Sequence, residues 1–246
     1  MNFRIGKEFK NREMVEKNLK KVSDIIHFNY QNIIRPDYNH TNKVGVIKEK
    51  SPLLYEKDIP SLTGKYFKNT DGLLTSEIEI ALMSTNADCN LILIYDPVKK
   101  VIGNIHAGWR GTFEKIVKNA IIKIKEEYNS NPEDIICCFC PSIRKCHFEV
   151  DEDVKEECKR IFESTKEIDE IIYKGDIKEG KQKYYIDTIL INKILLKEEG
   201  ILEKNIIDSE ICSMCNSDEI HSRRAEGLNF GLGAALIERK LYQNKK

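Results

Sequence analysis

Two apolar, β-branched runs a few residues apart constrain this chain more than any other feature: LILIYD at 91–96 and KVIGNIH at 100–106. They read as a pair of strands. Between them lies Asp96-Pro97-Val98-Lys99, with Asp and Pro at the first and second positions that a type I turn favours. With Pro97 and Val98 as the loop, the hairpin sets Cys89, at the head of the first run, directly across from His106, at the tail of the second. Their Cβ atoms then lie about 4.5–5.5 Å apart on one face. A bulge or a four-residue loop changes that register.

A thiolate and an imidazole at this separation can share a zinc ion, with Zn–S about 2.3 Å and Zn–N about 2.0–2.1 Å. They can equally form a cysteine nucleophile and its base, or a buried thiol packed beside a structural histidine. Spacing alone leaves the three open. The next residues strengthen the reading of a site. The stretch NIHAGWRGT, 104–112, holds the chain's only tryptophan, Trp109. Gly108 and Gly111 give the backbone freedom to turn after the strand. Arg110 leaves that turn ahead of a helix, whose free N–H groups favour an anion. A surface ion pair for Arg110 and a core anchor for Trp109 are the plainer readings.

Elsewhere the chain shows no repeat, low-complexity segment or Pro/Gly-rich linker. Met14, Val15, Leu19, Val22, Ile25 and Ile26 fall on a helical period over 11–28. A break near Arg35-Pro36-Asp37 leads to the strand-like VGVIKE, and 51–70 reads as loop. GLLTS and EIALMS look like strands. Thr112 is placed to cap a helix over 113–128. IICCFC, at 135–140, reads as a buried strand. Helices follow at 151–163 and 187–199, the second stopped by Gly200, and NIIDSEI and GAALIE finish the pattern. KEGKQK reads as solvated loop. Adjacent strands among alternating helices imply a mixed sheet and an α/β or α+β domain, not a doubly wound parallel one.

Forty basic and forty acidic side chains cancel in the 246 residues, so charge makes no case for a nucleic-acid or anionic-membrane partner. The start lacks a signal-peptide apolar region, and no run approaches a membrane span. A cytoplasmic protein is expected. Its eight cysteines are then thiols or ligands rather than a disulfide framework.

His-Ala-Gly-Trp-Arg-Gly at 106–111 resembles the hallmark string of the laccase-domain family. Members of that family carry the labels multicopper polyphenol oxidase, purine nucleoside phosphorylase and peptidoglycan editing factor. Asn-Ala-Asp-Cys at 86–89, CPSIRKCHFEV at 140–150, CSMC and HSRR within 212–224, and Tyr38-Asn39-His40-Thr41-Asn42-Lys43-Val44 are similar to further family segments. The resemblance covers nearly the whole chain, 1–246, as a single domain. It implies helices outside two packed mixed sheets, a layered α/β/β/α arrangement. It also implies zinc held by His40, Cys89 and His106, and a purine nucleoside substrate undergoing phosphorolysis or deamination. Several positions depart from the family pattern. A leading Thr-Arg…Gly-Gly segment is missing before NFRIG, and with it a substrate-contacting arginine is expected to be absent. Asn86 replaces a threonine, 90–92 lacks a proline, Arg223 replaces an aromatic residue, and Leu232 stands where an arginine is expected.

Three N and S ligands leave one zinc position open for a reactant. The same donor set suits copper, but a multicopper oxidase needs many more imidazoles than the five present: His27, His40, His106, His147 and His221. Asp88 and Glu149 are the carboxylate candidates for proton transfer. Strand alternation turns Asp88 away from Cys89 unless the chain bends, and Glu149 can instead stabilise a helix start. Arg110 and Arg224 are the candidates for holding phosphate or ribose, with nucleoside and phosphate as the expected partners. Cys212-x-x-Cys215, with a second pair drawn from Cys137, Cys138, Cys140 and Cys146, is the runner-up structural metal site. Competing functions are a cysteine hydrolase or deamidase, including one editing peptidoglycan precursors, with Cys89 as nucleophile and His106 as base, and a non-catalytic metal-stabilised binding protein.

Overall fold

The two β-branched runs form the middle of a six-stranded sheet. The computed structural model describes residues 1–4, 11–48, 54–55 and 65–240. In chain order the strands are β1 (Ile33–Pro36), β2 (Val44–Ile47), β3 (Leu54–Tyr55), β4 (Lys65–Phe67), β5 (Gly72–Thr75), β6 (Ala81–Asn86), β7 (Asn90–Asp96), β8 (Val101–Ala107), β9 (Ile136–Phe139), β10 (Glu149–Val150), β11 (Ile172–Lys178), β12 (Lys181–Ile186), β13 (Ile206–Asp208) and β14 (Gly233–Glu238). The helices are α1 (Arg12–Ile26), α2 (Trp109–Phe113), α3 (Ile116–Tyr128), α4 (Glu152–Phe162), α5 (Ile168–Ile171), α6 (Thr188–Glu198) and α7 (Arg223–Glu226).

The large sheet runs β13-β9-β7-β8-β5-β2, with parallel pairs at its two edges and antiparallel pairs inside. A second sheet, β14-β6-β1-β4-β3, is parallel in its middle and antiparallel at its edges. A small antiparallel sheet, β10-β12-β11, lies apart from both. The architecture is mixed α/β with several sheets, as the pattern of elements implies.

Side-chain alternation explains the layering. On one face of the large sheet, Leu74, Ile92, Ile94 and Ile105 pack with Ile121 of α3 and Leu195 of α6. On the other face, Leu73 and Ile102 meet Ile34 and Leu82 of the second sheet. Val15 and Leu19 of α1 cover the far side of that sheet against Ile33, Ala81 and Met83. A sheet covered on both faces requires near-continuous apolar strands, and β8 is buried at every residue. Its one amide, Asn104, donates to the carbonyls of Leu82 and Ala235 at 3.1 and 3.0 Å, so no donor is stranded.

Several local expectations are corrected. The β7–β8 loop has four residues, because Asp96 pairs with Val101, and Leu91 rather than Cys89 lies opposite His106. The Asp96 carboxylate accepts N–H bonds from both Val98 and Lys99 at 2.8 Å, which widens the turn. Thr112 caps nothing: the helix begins at Trp109, breaks at Lys115 in the left-handed region, and resumes at Ile116. Arg110 thus lies inside a short helix, not ahead of a long one. KEGKQK is not loop but the tip of the β11–β12 hairpin, turning at Glu179 and Gly180, both with positive φ. Arg35 and Pro36, read as a break, end β1. Much of the loop expected at 51–70 lies outside the described residues; the described part includes β3 and β4, which pair with each other. Among the described residues no helix is long and apolar enough to cross a membrane.

Candidate metal centre

His106 is set by β8 and is almost fully buried, with 4% exposure. Cys89 stands just before β7, where the chain bends sharply at Asp88, φ 84°. That bend and the longer loop make Cys89 a diagonal rather than a direct neighbour of His106, within reach across the strand ends. His40 arrives from the segment between β1 and β2 with φ 54°. The donor atoms of His40, Cys89 and His106 all lie within 4.8 Å of one another. Among the described residues no fourth histidine, cysteine or carboxylate joins this group.

One carboxylate organises all of it. Asp71, wholly buried just ahead of β5, accepts from the backbone N–H of His40 at 3.0 Å and faces His106 Nδ1 at 3.1 Å through the same oxygen. Its other oxygen accepts from the Thr41 N–H at 2.8 Å, the Thr41 hydroxyl at 2.9 Å and the Asn39 N–H at 3.2 Å. A carboxylate at Nδ1 favours the Nδ1–H tautomer and leaves Nε2 free as a ligand, the arrangement that orients metal-bound histidines. Tyr38 packs edge-on to the His106 ring at 4.9 Å.

The donors also fit an ion sterically. A Cβ on Gly108 would lie 3.0 Å from His40 Cδ2 and 3.3 Å from the Cys89 sulfur, and one on Gly111 would lie 2.9 Å from the Thr41 carbonyl oxygen. Close approach, not turning, is why glycine stands at both positions: Gly108 has an ordinary φ of −61°. Burial alone pushes the Cys89 thiol up, but His106 and His40 beside it draw it down to about 6. Burial pulls His106 down, yet the Cys89 thiolate and Asp71 raise it to about 10. Both shifts run in the direction that favours a thiolate beside a protonated imidazole. A cation held by these three residues would take over the charge that the imidazolium proton supplies, because metal ligands bind deprotonated.

The remaining candidates are distributed around this centre. Both Asp88 oxygens are engaged, one by the Ser213 hydroxyl at 2.7 Å and one by the Arg224 backbone N–H at 2.8 Å. The Arg224 guanidinium donates to the carbonyls of His147 and Glu149 at 3.1 and 3.0 Å. Glu149 accepts from the Tyr185 hydroxyl at 3.0 Å and pairs with Lys178, whose charge holds its carboxyl below the usual range. Arg110 is exposed, with its guanidinium stacked on the Trp109 ring at 4.0 Å. His221 pairs with Glu226 at 3.2 Å.

A family model described as multi-copper polyphenol oxidoreductase laccase matches residues 3–240. The chain belongs to this family. It is 27% identical over 235 residues to the mouse protein named purine nucleoside phosphorylase LACC1, covering 91% of this chain and 47% of that one. It is 26% identical over 212 residues to purine nucleoside phosphorylase YlmD of Bacillus subtilis strain 168, covering 86% and 72%. The fold matches the crystal structure of the hypothetical protein YfiH of Bacillus licheniformis with TM-score 0.83 and 26% identity, over 97% of this chain and 86% of that one. The chain spans about half the length of the mouse relative.

In this laccase-family chain the resemblance pointed to three residues that the fold does bring together. It did not point to Asp71. The only local signal was an acid directly before the apolar GLLT, a place where a buried strand start leaves little room for an unpaired charge.

Proposed function

We propose that this chain is a zinc-dependent purine nucleoside phosphorylase, with the metal held by His40, Cys89 and His106. The convergence of those three donors on one point, backed by buried Asp71, carries the reading. The relatives named purine nucleoside phosphorylase support the substrate class. Zinc, when bound, supplies Lewis acidity and a place to orient an anion. Phosphorolysis joins a phosphate oxygen to ribose C1′ and breaks the bond from C1′ to the base, which leaves with the electron pair and takes up a proton. Phosphate needs a cation with free donors, and the Arg110 guanidinium, exposed and stacked on Trp109, makes no hydrogen bond or ion pair among the described residues. We assign it to phosphate. Arg224 is assigned to the substrate edge, acting from the bonds that fix its guanidinium. With both oxygens occupied, Asp88 acts as a positioning residue that fixes the chain beside Cys89. We keep Glu149 as the carboxylate candidate for proton transfer, although its pairing with Lys178 and Tyr185 lowers its carboxyl and with it its basicity.

The test is turnover of adenosine, inosine and guanosine by zinc-loaded protein, with and without phosphate. Free base and ribose 1-phosphate that appear only with phosphate support the assignment. Ammonia release from adenosine adds the deaminase activity. Binding without turnover leaves a metal-stabilised binding protein instead.

One observation favours a second reading. Asp71, His106 and Cys89 run in the order orienter, base and nucleophile, which a cysteine hydrolase or deamidase also uses. That enzyme needs neither His40 nor an ion. Turnover that survives His40→Ala and chelation, and disappears on alkylation of Cys89, selects it over the phosphorylase.

A further inference from the structure

We infer that Cys146, His147, Cys212 and Cys215 form a second metal site, a closed Cys₃His zinc site that shares no residue with the His40/Cys89/His106 centre. Two distant segments build it: a Cys-His pair ahead of β10 and a Cys-x-x-Cys turn after β13. Their donor atoms all lie within 4.8 Å of one another. The individual distances are the stronger point. Tetrahedral zinc, with Zn–S about 2.3 Å and Zn–N about 2.0–2.1 Å, sets its sulfurs about 3.8 Å apart and sulfur from nitrogen about 3.6 Å apart. Here Cys146 Sγ and Cys215 Sγ are 3.8 Å apart, and His147 Nδ1 lies 3.3, 3.7 and 3.4 Å from the sulfurs of Cys146, Cys212 and Cys215.

A disulfide explains less. Bonded sulfurs are about 2.05 Å apart, and one bridge would use two of the three thiols while leaving an imidazole nitrogen among them without purpose. Four protein donors of S₃N type fill a zinc coordination shell and leave no position for a reactant, so the site is structural. What it ties together gives it a role. Cys212 forms a bridge with Ser142, and the Ser213 N–H donates to the Ser142 carbonyl at 3.0 Å. The Ser213 hydroxyl bonds Asp88, one residue before Cys89, while Arg224 reaches the His147 carbonyl. An ion here fastens the segment carrying Arg224 to the wall of the primary centre.

The test is metal content of the full chain, purified reduced and loaded with zinc(II), then with cobalt(II). The expected result is two ions per chain, falling to one both in Cys212→Ser/Cys215→Ser and in His40→Ala. Cobalt-loaded His40→Ala keeps the strong thiolate-to-metal absorption of a three-sulfur site, whereas the double variant shows only the weaker absorption of one sulfur. Should the double variant fold poorly, alkylation of the wild type followed by peptide mapping decides: Cys146, Cys212 and Cys215 are protected by zinc and become labelled after chelation. One ion per chain that disappears only with His40→Ala, or equal labelling of those three cysteines with and without zinc, overturns the proposal. So does oxidation to a Cys146–Cys215 disulfide without release of zinc.

Discussion

Two clusters of soft donors, built differently, sit on either side of Asp88. The first takes three donors from three separate segments and supports them from behind: His106 from near the end of β8, Cys89 from just before β7, and His40 through its N–H bond to a carboxylate with no exposure. The second takes four donors from two turns, with Cys146 and Cys215 exposed. On the proposed reading, the difference separates chemistry from scaffolding. Three ligands held by a rigid framework leave room for a reactant, while four ligands on loops close the shell and rigidify the loops.

The sharpest way to break this comparison is Cys89→Ser. Losing the sulfur is expected to remove the first ion and to lower phosphorolysis by about 10³-fold, because a metal supplies several kcal/mol at the reacting centre; metal content and kcat/KM read both. Retention of most activity would erase the contrast between the clusters. Next in size is Asp71→Asn, which removes the anion opposite His106 and weakens three N–H bonds. Metal affinity at the first centre is expected to fall about 10–100-fold, measured by competition with a chelator, with the second cluster unchanged. Gly108→Ala should push a methyl against His40 and Cys89 and cost about 1–3 kcal/mol, read by thermal unfolding of the metal-loaded chain.

The smallest effect concerns the support of the second cluster. Asp208 pairs with Arg144 and Lys193, and although burial works against its charge, those cations hold its carboxyl far below the usual carboxylate range. A carboxyl lowered in the folded state stabilises above its unfolded value and loses that contribution as the pH falls through its folded one. Asp208→Asn is therefore expected to cost about 1–2 kcal/mol at neutral pH, between the values for exposed and buried pairs. The gap to wild type should close progressively below about pH 4. A gap that is constant across this range removes the electrostatic explanation.

Much of this was legible in the residues, and the failures have physical causes. Strand runs such as LILIYD announce themselves because a sheet buried on both faces tolerates little else. The proximity of Cys89 and His106 survives a wrong register because the error was two residues, which preserves the face. The register itself depended on whether the Asp96 side chain would capture two backbone N–H groups, a detail that composition does not reveal. The β11–β12 hairpin is hard to read from sequence because only its last residue, Ile186, is buried and its lysine-rich tip lacks an apolar alternation. Asp71 is marked in the sequence only as an acid ahead of the apolar GLLT, because its importance comes from partners 30 to 35 residues away in each direction. His147 carries no ligand signature in the sequence because only the fold brings it to the Cys-x-x-Cys turn.

The most direct measurement is zinc-edge X-ray absorption on the Cys212→Ser/Cys215→Ser variant, in which the first centre alone holds metal. The expected shell is one sulfur at about 2.3 Å, two imidazole nitrogens at about 2.0–2.1 Å and one light exchangeable ligand that changes when phosphate is added. A shell with no sulfur, or one completed by a fourth protein donor and indifferent to phosphate, would contradict an open centre formed by His40, Cys89 and His106.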